Sequence, residues 1–314
     1  VSLYPSSMAR IPGYLIGAPK VWHEGVNLNK ADIGYFLKIR VTSVGKKYRF
    51  PICRLKDDDG ANRWTNDLEG KTITVDRFTL EDLVRFSHIT YEILQGYYFD
   101  EKRNTRINKV ITNLFNMRLY YKDKKIWGPG GNPLQLVIKL VMNAAYGICG
   151  LKPIDTDIKY VQDGEKYANF VNLHFNRIKW FTRMNNNDWR FELYKEIDTH
   201  YNRQHVACEV LSVSKNIMNE VMCLAEDIGA TIYYTDTDSM HLDYDMVETL
   251  GEKFKTKYGR ELIGEQLGQF HTDFEFKECF HIVNDQLERV GDSMKSVGDI
   301  KAVESYFIAK KTYL

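Results

Sequence analysis

The sequence predicts an α+β fold, with antiparallel strands and helices spread over about two domains of roughly 150 residues each. Of the 314 residues, 44% are apolar and 13% are aromatic, which is enough to bury a core and argues against disorder. Residues 72–76 and 89–99 have the composition of strands, whereas residues 105–122 and 206–228 place apolar side chains at the helical period. No internal repeat is present, so a solenoid is excluded.

The first hundred residues favour short strands joined by turns. Residues 36–41 and 47–53 are extended in character, and a helical segment at 80–86 separates the two strands at 72–76 and 89–99.

A pair of helices follows. The first is predicted at 105–122, and Gly128-Pro129-Gly130-Gly131 then breaks the helical pattern. Asn132 is the predicted cap and Pro133 the first residue of a second helix, which we expect to run to about Tyr146 and to be ended by Gly147 and Gly150. Between residues 101 and 139 there are nine basic and two acidic residues, a net charge of +7, whereas the whole chain carries only +1. The rest of the chain is therefore acidic, and a basic arm beside an acidic body suits phosphates on one side and metal ions on the other.

Residues 151–205 show no clean periodicity and are predicted to be an insertion. After the helix at 206–228, residues 231–234 and 240–244 are predicted strands joined by a tight turn. A further helix is expected at 246–258.

The five cysteines are odd in number and scattered, without a CxxC pair, so neither a disulfide framework nor a zinc site is indicated. A reducing compartment (cytoplasm, nucleus, organelle or virus-infected cell) is the expectation. No apolar run is long enough to span a bilayer, so no membrane partner is predicted.

The turn between the last two predicted strands carries the strongest chemical signal. It contains Asp236 and Asp238, two residues apart, within Tyr234-Thr235-Asp236-Thr237-Asp238-Ser239. Two carboxylates so close together repel each other, and a hard cation such as Mg²⁺, which prefers carboxylate and phosphate oxygens, relieves that repulsion.

This string resembles the YxDTDS motif of family B DNA polymerases, and three more of that family's motifs follow the expected order. Residues 139–147 resemble KxxxNSxYG, with Ala144 where serine is usual, and residues 2–6 resemble the end of DxxSLYPS. Residues 311–313 match KxY. The aspartate of DxxSLYPS would lie two positions before Val1, and we interpret the chain as a piece of a longer protein.

The resemblance implies a polymerase palm, an antiparallel sheet with helices, carrying a two-helix fingers arm and insertions. The implied regions are 1–100 (N-terminal palm with an insertion), 101–150 (fingers), 151–205 (insertion within the palm) and 206–314 (palm with the catalytic hairpin, ending near the thumb). The long segments on both sides of the fingers resemble the protein-primed branch of phage, linear-plasmid and viral enzymes. In that branch such insertions engage a terminal protein and enclose DNA.

The resemblance also implies a site and a function: template-directed DNA synthesis from dNTPs on a primer–template, or on a terminal-protein hydroxyl, with two Mg²⁺ or Mn²⁺ ions. Asp236 and Asp238 are the implied metal ligands, and Lys139 completes the catalytic set. The remaining implied contacts are with the nucleotide (Ser2, Leu3, Tyr4, Arg118, Lys122, Lys139, Asn143, Tyr146) and with DNA (Gly147, Thr237, Ser239, Lys311, Tyr313). Lys139, Asn143 and Tyr146 share one helical face, because they stand at i, i+4 and i+7.

Three alternatives remain open. Another palm enzyme, such as a reverse transcriptase, typically has adjacent aspartates, whereas Thr237 separates them here. A non-catalytic nucleic-acid-binding fragment of a polymerase would keep the basic arm. A two-metal nuclease would need acidic motifs that this sequence does not contain.

Overall fold

The computed structural model describes residues 2–56, 59–151, 156–195 and 203–272, and the backbone alone of residues 280–283, 286–289, 307–309 and 312–313. Lys311 and the side chain of Tyr313 lie outside the described residues. The helices are α1 (Leu3–Arg10), α2 (Arg77–Ser87), α3 (Arg106–Lys122), α4 (Lys124–Trp127), α5 (Leu134–Cys149), α6 (Glu165–His174), α7 (Gln204–Asp227) and α8 (Met246–Tyr258), with a 3₁₀ turn at Phe175–Arg177.

The strands pair in antiparallel sheets. They are β1 (Tyr14–Leu15), β2 (Lys20–Val21), β3 (Gly34–Val44), β4 (Cys53–Lys56), β5 (Asn62–Thr65), β6 (Thr72–Asp76), β7 (Ile89–Phe99), β8 (Arg103–Asn104), β9 (Thr156–Gln162), β10 (Ile178–Arg183), β11 (Asp188–Tyr194), β12 (Ile232–Asp236), β13 (Ser239–Leu242), β14 (Phe280–Val283), β15 (Gln286–Arg289), β16 (Phe307–Ala309) and β17 (Thr312–Tyr313). The largest sheet has the order β2-β7-β3-β6, a second has the order β10-β11-β9, and the others are two-stranded. The predicted α+β class is confirmed.

The N-terminal region confirms the predicted strands at 72–76 and 89–99 and the helix between them. The prediction of a strand at 47–53 is wrong, because Cys53 is the only one of these residues that belongs to a strand. The Asn66 side chain explains the difference: its amide donates to the carbonyls of Tyr48 and Phe50 (2.8 and 2.9 Å), and its oxygen accepts from the Ile52 amide (3.1 Å). These backbone groups are satisfied by a side chain, so they need no partner strand.

The N-terminal motif forms helix α1. The Ser6 amide donates to the Ser2 carbonyl (2.9 Å), which closes the first turn. Pro5 lies in this turn, where backbone N–H groups have no partner within the helix, so its missing N–H costs no hydrogen bond.

Helix α5 begins at Leu134, one residue later than predicted, with Pro133 at the N-cap position, and it extends further than predicted. The Asn132 side chain accepts from the Leu134 amide (3.0 Å) at its start. The helix does not end at Tyr146 but continues to Cys149, because Gly147 keeps an ordinary helical backbone, and Gly150 is at the C-cap, as predicted.

Helix α7 packs against several of the other elements. It contributes side chains to each of four apolar clusters in the described residues: Cys223 to the cluster under the largest sheet, Val210 to the cluster with α3 and α5, Val221 to the cluster with α8, and Ile217 to the cluster with α1. Within the described residues, the elements that carry the candidate site residues are therefore fixed to one helix.

Residues 156–195 form a unit with its own core. Phe191 is fully buried, and its ring lies 4.8 Å from Phe170, 5.6 Å from Phe181 and 5.7 Å from Tyr167. Phe191 belongs to none of the four clusters that α7 joins within the described chain.

A buried ion pair ties β8, the short strand before α3, to α7. Both guanidinium Nη atoms of Arg103 donate to the Glu209 carboxylate (2.8 and 2.9 Å), and each side chain is only 1% exposed. Arg103 also donates to the carbonyl of Gly13 (2.9 Å).

We expect Arg103→Met to lower the free energy of unfolding by about 3–5 kcal/mol, since it leaves a buried carboxylate without a counter-charge. Lys20→Met is the matched control: its pair with Asp100 is exposed, and we expect a much smaller loss than for Arg103→Met. Urea unfolding measures both values. Equal losses in the two variants would contradict this account.

Cys53, Cys149, Cys208 and Cys223 are free thiols, and Cys279 lies outside the described residues. None of the helices in the described part of the chain combines the length and the apolarity needed to cross a bilayer.

Candidate active site

Two tyrosines from distant parts of the sequence stack on each other. The rings of Tyr4, on α1, and Tyr146, on α5, are 4.5 Å apart and inclined by 15°. Both residues are half-buried, and burial, with a smaller contribution from Tyr4, raises the pKa of the Tyr146 hydroxyl. The stack joins the N-terminal motif on α1 to helix α5.

Arg118, on α3, contacts the N-terminal motif at Ser2. Its Nη1 donates to the Ser2 hydroxyl (2.8 Å), and its buried Nε has no hydrogen-bond partner among the described residues. Burial lowers the pKa of this guanidinium from its ordinary value. An unsatisfied donor on a half-buried cation favours a ligand that brings an anionic acceptor, such as a phosphate oxygen.

The other polar candidates lie on the same two helices. Lys122 lies one turn beyond Arg118 on α3, and Lys139 and Asn143 precede Tyr146 on α5; both lysines are exposed and Asn143 is half-buried. A Cβ built on Gly147 would have no neighbour within 4 Å, so nothing described in the chain requires glycine there. That leaves the helix backbone open to close approach by a ligand.

The two aspartates lie at the tip of the β12–β13 hairpin, where Asp236 pairs with Ser239. The Asp238 amide donates to the Asp236 carbonyl (2.6 Å), and Thr237 between them has φ 47°. A left-handed backbone is unfavourable for a β-branched residue and costs on the order of 1–3 kcal/mol. Such strain at a tight turn is typical of functional sites.

Both carboxylates are exposed, and neither forms an ion pair with a described residue. The Asp236 carboxylate accepts from the Thr237 hydroxyl (3.2 Å). Within the described residues no group of three or more His, Cys, Asp or Glu side chains is arranged to hold a metal. The pair nevertheless fits Mg²⁺, which commonly takes one or two carboxylates and completes its shell with water and substrate phosphates.

The structure brings Ser2 into contact with Arg118 and Tyr4 into contact with Tyr146, but among the described residues it shows no contact of Asp236 or Asp238 with these four. The hairpin instead packs in the cluster that α7 shares with α8, through Ile232. Leu3 is 9% exposed and packs with α7, so its side chain supports α1 rather than lining a pocket.

Sequence reasoning missed one charged cluster that holds α1 in place. Glu220 of α7 is 2% exposed and is surrounded by three arginines: Arg10 at 2.7 Å, Arg85 at 3.4 Å, and Arg260. The signal was present, because Glu220 lies on the apolar face of an amphipathic helix, where an acid requires a partner.

Comparisons with known proteins agree with this fold. Residues 1–228 match the family described as "DNA polymerase type B, organellar and viral". The chain is 24% identical over 218 residues to "Probable DNA polymerase" of Podospora anserina, covering 61% of this chain and 16% of that protein.

Among solved structures, Phi29 DNA polymerase superposes with a TM-score of 0.55 at 16% identity, covering 94% of this chain and 48% of that one. Phi29 DNA polymerase complexed with primer–template DNA and incoming nucleotide substrates gives 0.54 at 14% identity, covering 96% and 50%. The chain thus spans about half the length of this solved structure and a smaller part of the Podospora protein. These likenesses show the fold alone, and the family match over most of the chain shows the family: the chain belongs to the type B DNA polymerases of the organellar and viral group.

Proposed function

We propose that this chain carries the nucleotidyl-transfer site of a DNA polymerase, which joins a dNTP to a primer 3′-hydroxyl or to a terminal-protein hydroxyl. The observation that carries the proposal is the convergence of Ser2 and Tyr4 with Arg118 and Tyr146, by a hydrogen bond and a ring stack across more than a hundred residues. One polar and one apolar contact there suit a charged, flat substrate.

The basic, aromatic and glycine residues of the site have different proposed roles. The open donor of Arg118, with Lys122 and Lys139, neutralises the triphosphate and the charge that develops on the leaving pyrophosphate. The Tyr4–Tyr146 stack bounds the sugar and the base, and Gly147 lets the DNA backbone approach α5.

Asp236 and Asp238 supply carboxylate oxygens for the two proposed Mg²⁺ or Mn²⁺ ions. Such ions, when bound, stabilise both the attacking and the leaving oxygen of an in-line displacement. Thr237 and Ser239 hold the hairpin tip in shape and present it to the primer end, where Lys311 and Tyr313 are proposed to join them.

Primer–template DNA and dNTPs are the proposed partners. The support is that the Phi29 polymerase of similar fold was solved with primer–template DNA and incoming nucleotides. A terminal protein as primer remains part of the proposal through the resemblance to the protein-primed branch.

A second candidate is a fragment that binds nucleic acid without catalysing. It is favoured by one observation, that the described residues offer two exposed carboxylates and no third ligand beside them.

Primer extension with dNTPs and with ribonucleotides tests the proposal, using the chain together with any residues that naturally precede Val1. We expect incorporation of dNTPs, and we expect Tyr4→Val to reduce discrimination against ribonucleotides by at least about tenfold, since it removes the ring that meets the sugar. Tyr160→Val is the control, because Tyr160 is an exposed tyrosine on β9. Unchanged sugar discrimination would remove Tyr4 from this role, and absence of any incorporation would favour the binding fragment.

A further inference from the structure

The residues proposed to hold the nucleotide and the two aspartates lie in differently packed parts of the structure. Helices α1, α3 and α5, which carry Tyr4, Arg118 and Tyr146, share an apolar cluster with the first half of α7, at Val210. The β12–β13 hairpin shares a cluster with α8 and with the last part of α7, at Val221. A contact that fixes α1 on α7 therefore also fixes the nucleotide-binding residues relative to the aspartates.

An ion pair lies where α7 passes from one cluster to the other. Glu220 directly precedes Val221, its side chain is 2% exposed, and its two carboxylate oxygens accept from the two Nη atoms of Arg10 (2.9 and 2.7 Å). Arg10 is the last residue of α1. Arg260, two residues beyond the end of α8, donates to the same carboxylate. One buried acid thus joins the end of α1 to the segment that follows α8.

This ion pair supplies what apolar packing supplies poorly. Leu3 and Ile11 also pack with α7, in a cluster that contains Ile217. Apolar burial is non-directional, so it holds two helices together without strictly specifying how one lies along the other. A two-pronged arginine–carboxylate pair fixes direction as well as distance.

We propose that Arg10 and Glu220 are positioning residues for nucleotidyl transfer: their ion pair sets the place of Tyr4, at the other end of α1, relative to Asp236 and Asp238. The role rests on the proposed function and deepens it. Neither residue touches the nucleotide. They act through α1, because a short helix moves as a unit and carries a displacement at its last residue to its first turn.

The contacts of α1 indicate which kinetic parameter the pair controls. Loss of Arg10 leaves the hydrogen bond and the ring stack that join the N-terminal motif to α3 and α5. It also leaves the Asn108 side chain of α3, whose amide donates to the Met8 carbonyl near the end of α1 (2.9 Å). The affinity for a dNTP should therefore change little. The rate at saturating dNTP should fall, because the bound nucleotide is no longer held in place relative to the aspartates.

Arg10→Met is the test variant, and it should fold because Glu220 keeps Arg85 and Arg260 as counter-charges. Single-turnover primer extension at several dNTP concentrations is the measurement, using the chain with any residues that naturally precede Val1. We expect the rate at saturation to fall by about tenfold or more, since misplacement by about 1 Å can cost about a hundredfold. The dNTP concentration that gives half of this rate should change by less than about twofold. A loss of stability alone would lower the reaction amplitude, which reports the folded fraction, and not the rate.

Arg85→Met is the matched control. It removes a cation from the same carboxylate, at 3.4 Å, but from α2, which carries none of the candidate site residues. We expect its rate to stay within about twofold of that of the unmodified chain, because the geometry of the site is not disturbed. Arg10→Lys is a second test variant: it keeps the charge but loses the two-pronged geometry, and we expect a rate lowered by about threefold or more.

A lowered rate in both Arg10 variants, with Arg85→Met close to the unmodified chain, supports the positioning role. If Arg10→Met does not fold, Arg10→Lys decides alone, and an unchanged rate overturns the role. It is also overturned if Arg85→Met lowers the rate as much as Arg10→Met, or if Arg10→Met weakens dNTP affinity and leaves the rate at saturation unchanged. Absence of incorporation by the unmodified chain is a different result, which overturns the proposed function and the positioning role together.

Discussion

Asp238→Asn is expected to reduce nucleotide incorporation by at least about a thousandfold, equivalent to a barrier increase of about 4 kcal/mol. The substitution preserves shape but removes one of the two negative charges at the hairpin tip, where neither carboxylate has a cationic partner among the described residues. The hard divalent cation proposed there loses a ligand that an amide replaces poorly. DNA binding should change little, since it depends on the basic residues of the fingers arm.

Single-turnover primer extension and fluorescence anisotropy with a primer–template measure the two effects separately, in the chain with any residues that naturally precede Val1. Asp245→Asn is the matched control: the same charge is removed nine residues from Asp236, at an exposed acid whose side chain does not cap α8. Incorporation by Asp238→Asn within about tenfold of the unmodified chain, a barrier change of only about 1.4 kcal/mol, would show that the catalytic assignment is wrong.

Replacing residues 155–200 with a short Gly/Ser linker is expected to leave single-nucleotide addition nearly intact. With excess template trap present, the products should become shorter by about tenfold or more. The reason is that the enzyme loses a second contact with DNA, which keeps the DNA at a high effective concentration. Strand displacement should fail as well. Two structural observations indicate that the rest of the chain can fold without this segment. The Arg203 amide donates to the Cys149 carbonyl (3.1 Å), so the flanks of the segment lie side by side. Phe191 is buried in the segment's own aromatic core.

The alternative is that this segment is a packed part of the palm, with Trp180, Trp189 and Phe191 in the palm core. Trp180 is 48% exposed, and the rings around Phe191 come from the same segment, which argues against that alternative. Circular dichroism and a thermal melt decide the matter. An unfolded deletion variant would favour the palm-core alternative, and a folded variant with undiminished product length would defeat the role in processivity.

Local sequence determined much of this protein. The β12–β13 hairpin, the α3 helix and the α+β class followed from periodicity and from turn residues, because these signals act between neighbours in the chain. The family followed from four short strings, and the comparisons confirm it. Element boundaries were predicted less well where one residue determines them. The Asn66 side chain satisfies the backbone groups of a segment that was predicted to be a strand. Gly147 was predicted to help end α5 but lies inside it.

Contacts across the chain were decided only by the tertiary structure. That Tyr4 stacks on Tyr146 and that Ser2 bonds Arg118 depend on how α1, α3 and α5 are brought together around α7. A motif specifies which chemical groups are present, but their distances and their burial depend on packing between segments that are remote in sequence. Burial then determines what each group does, because a polar atom that water satisfies at the surface requires a partner or a ligand once it is enclosed.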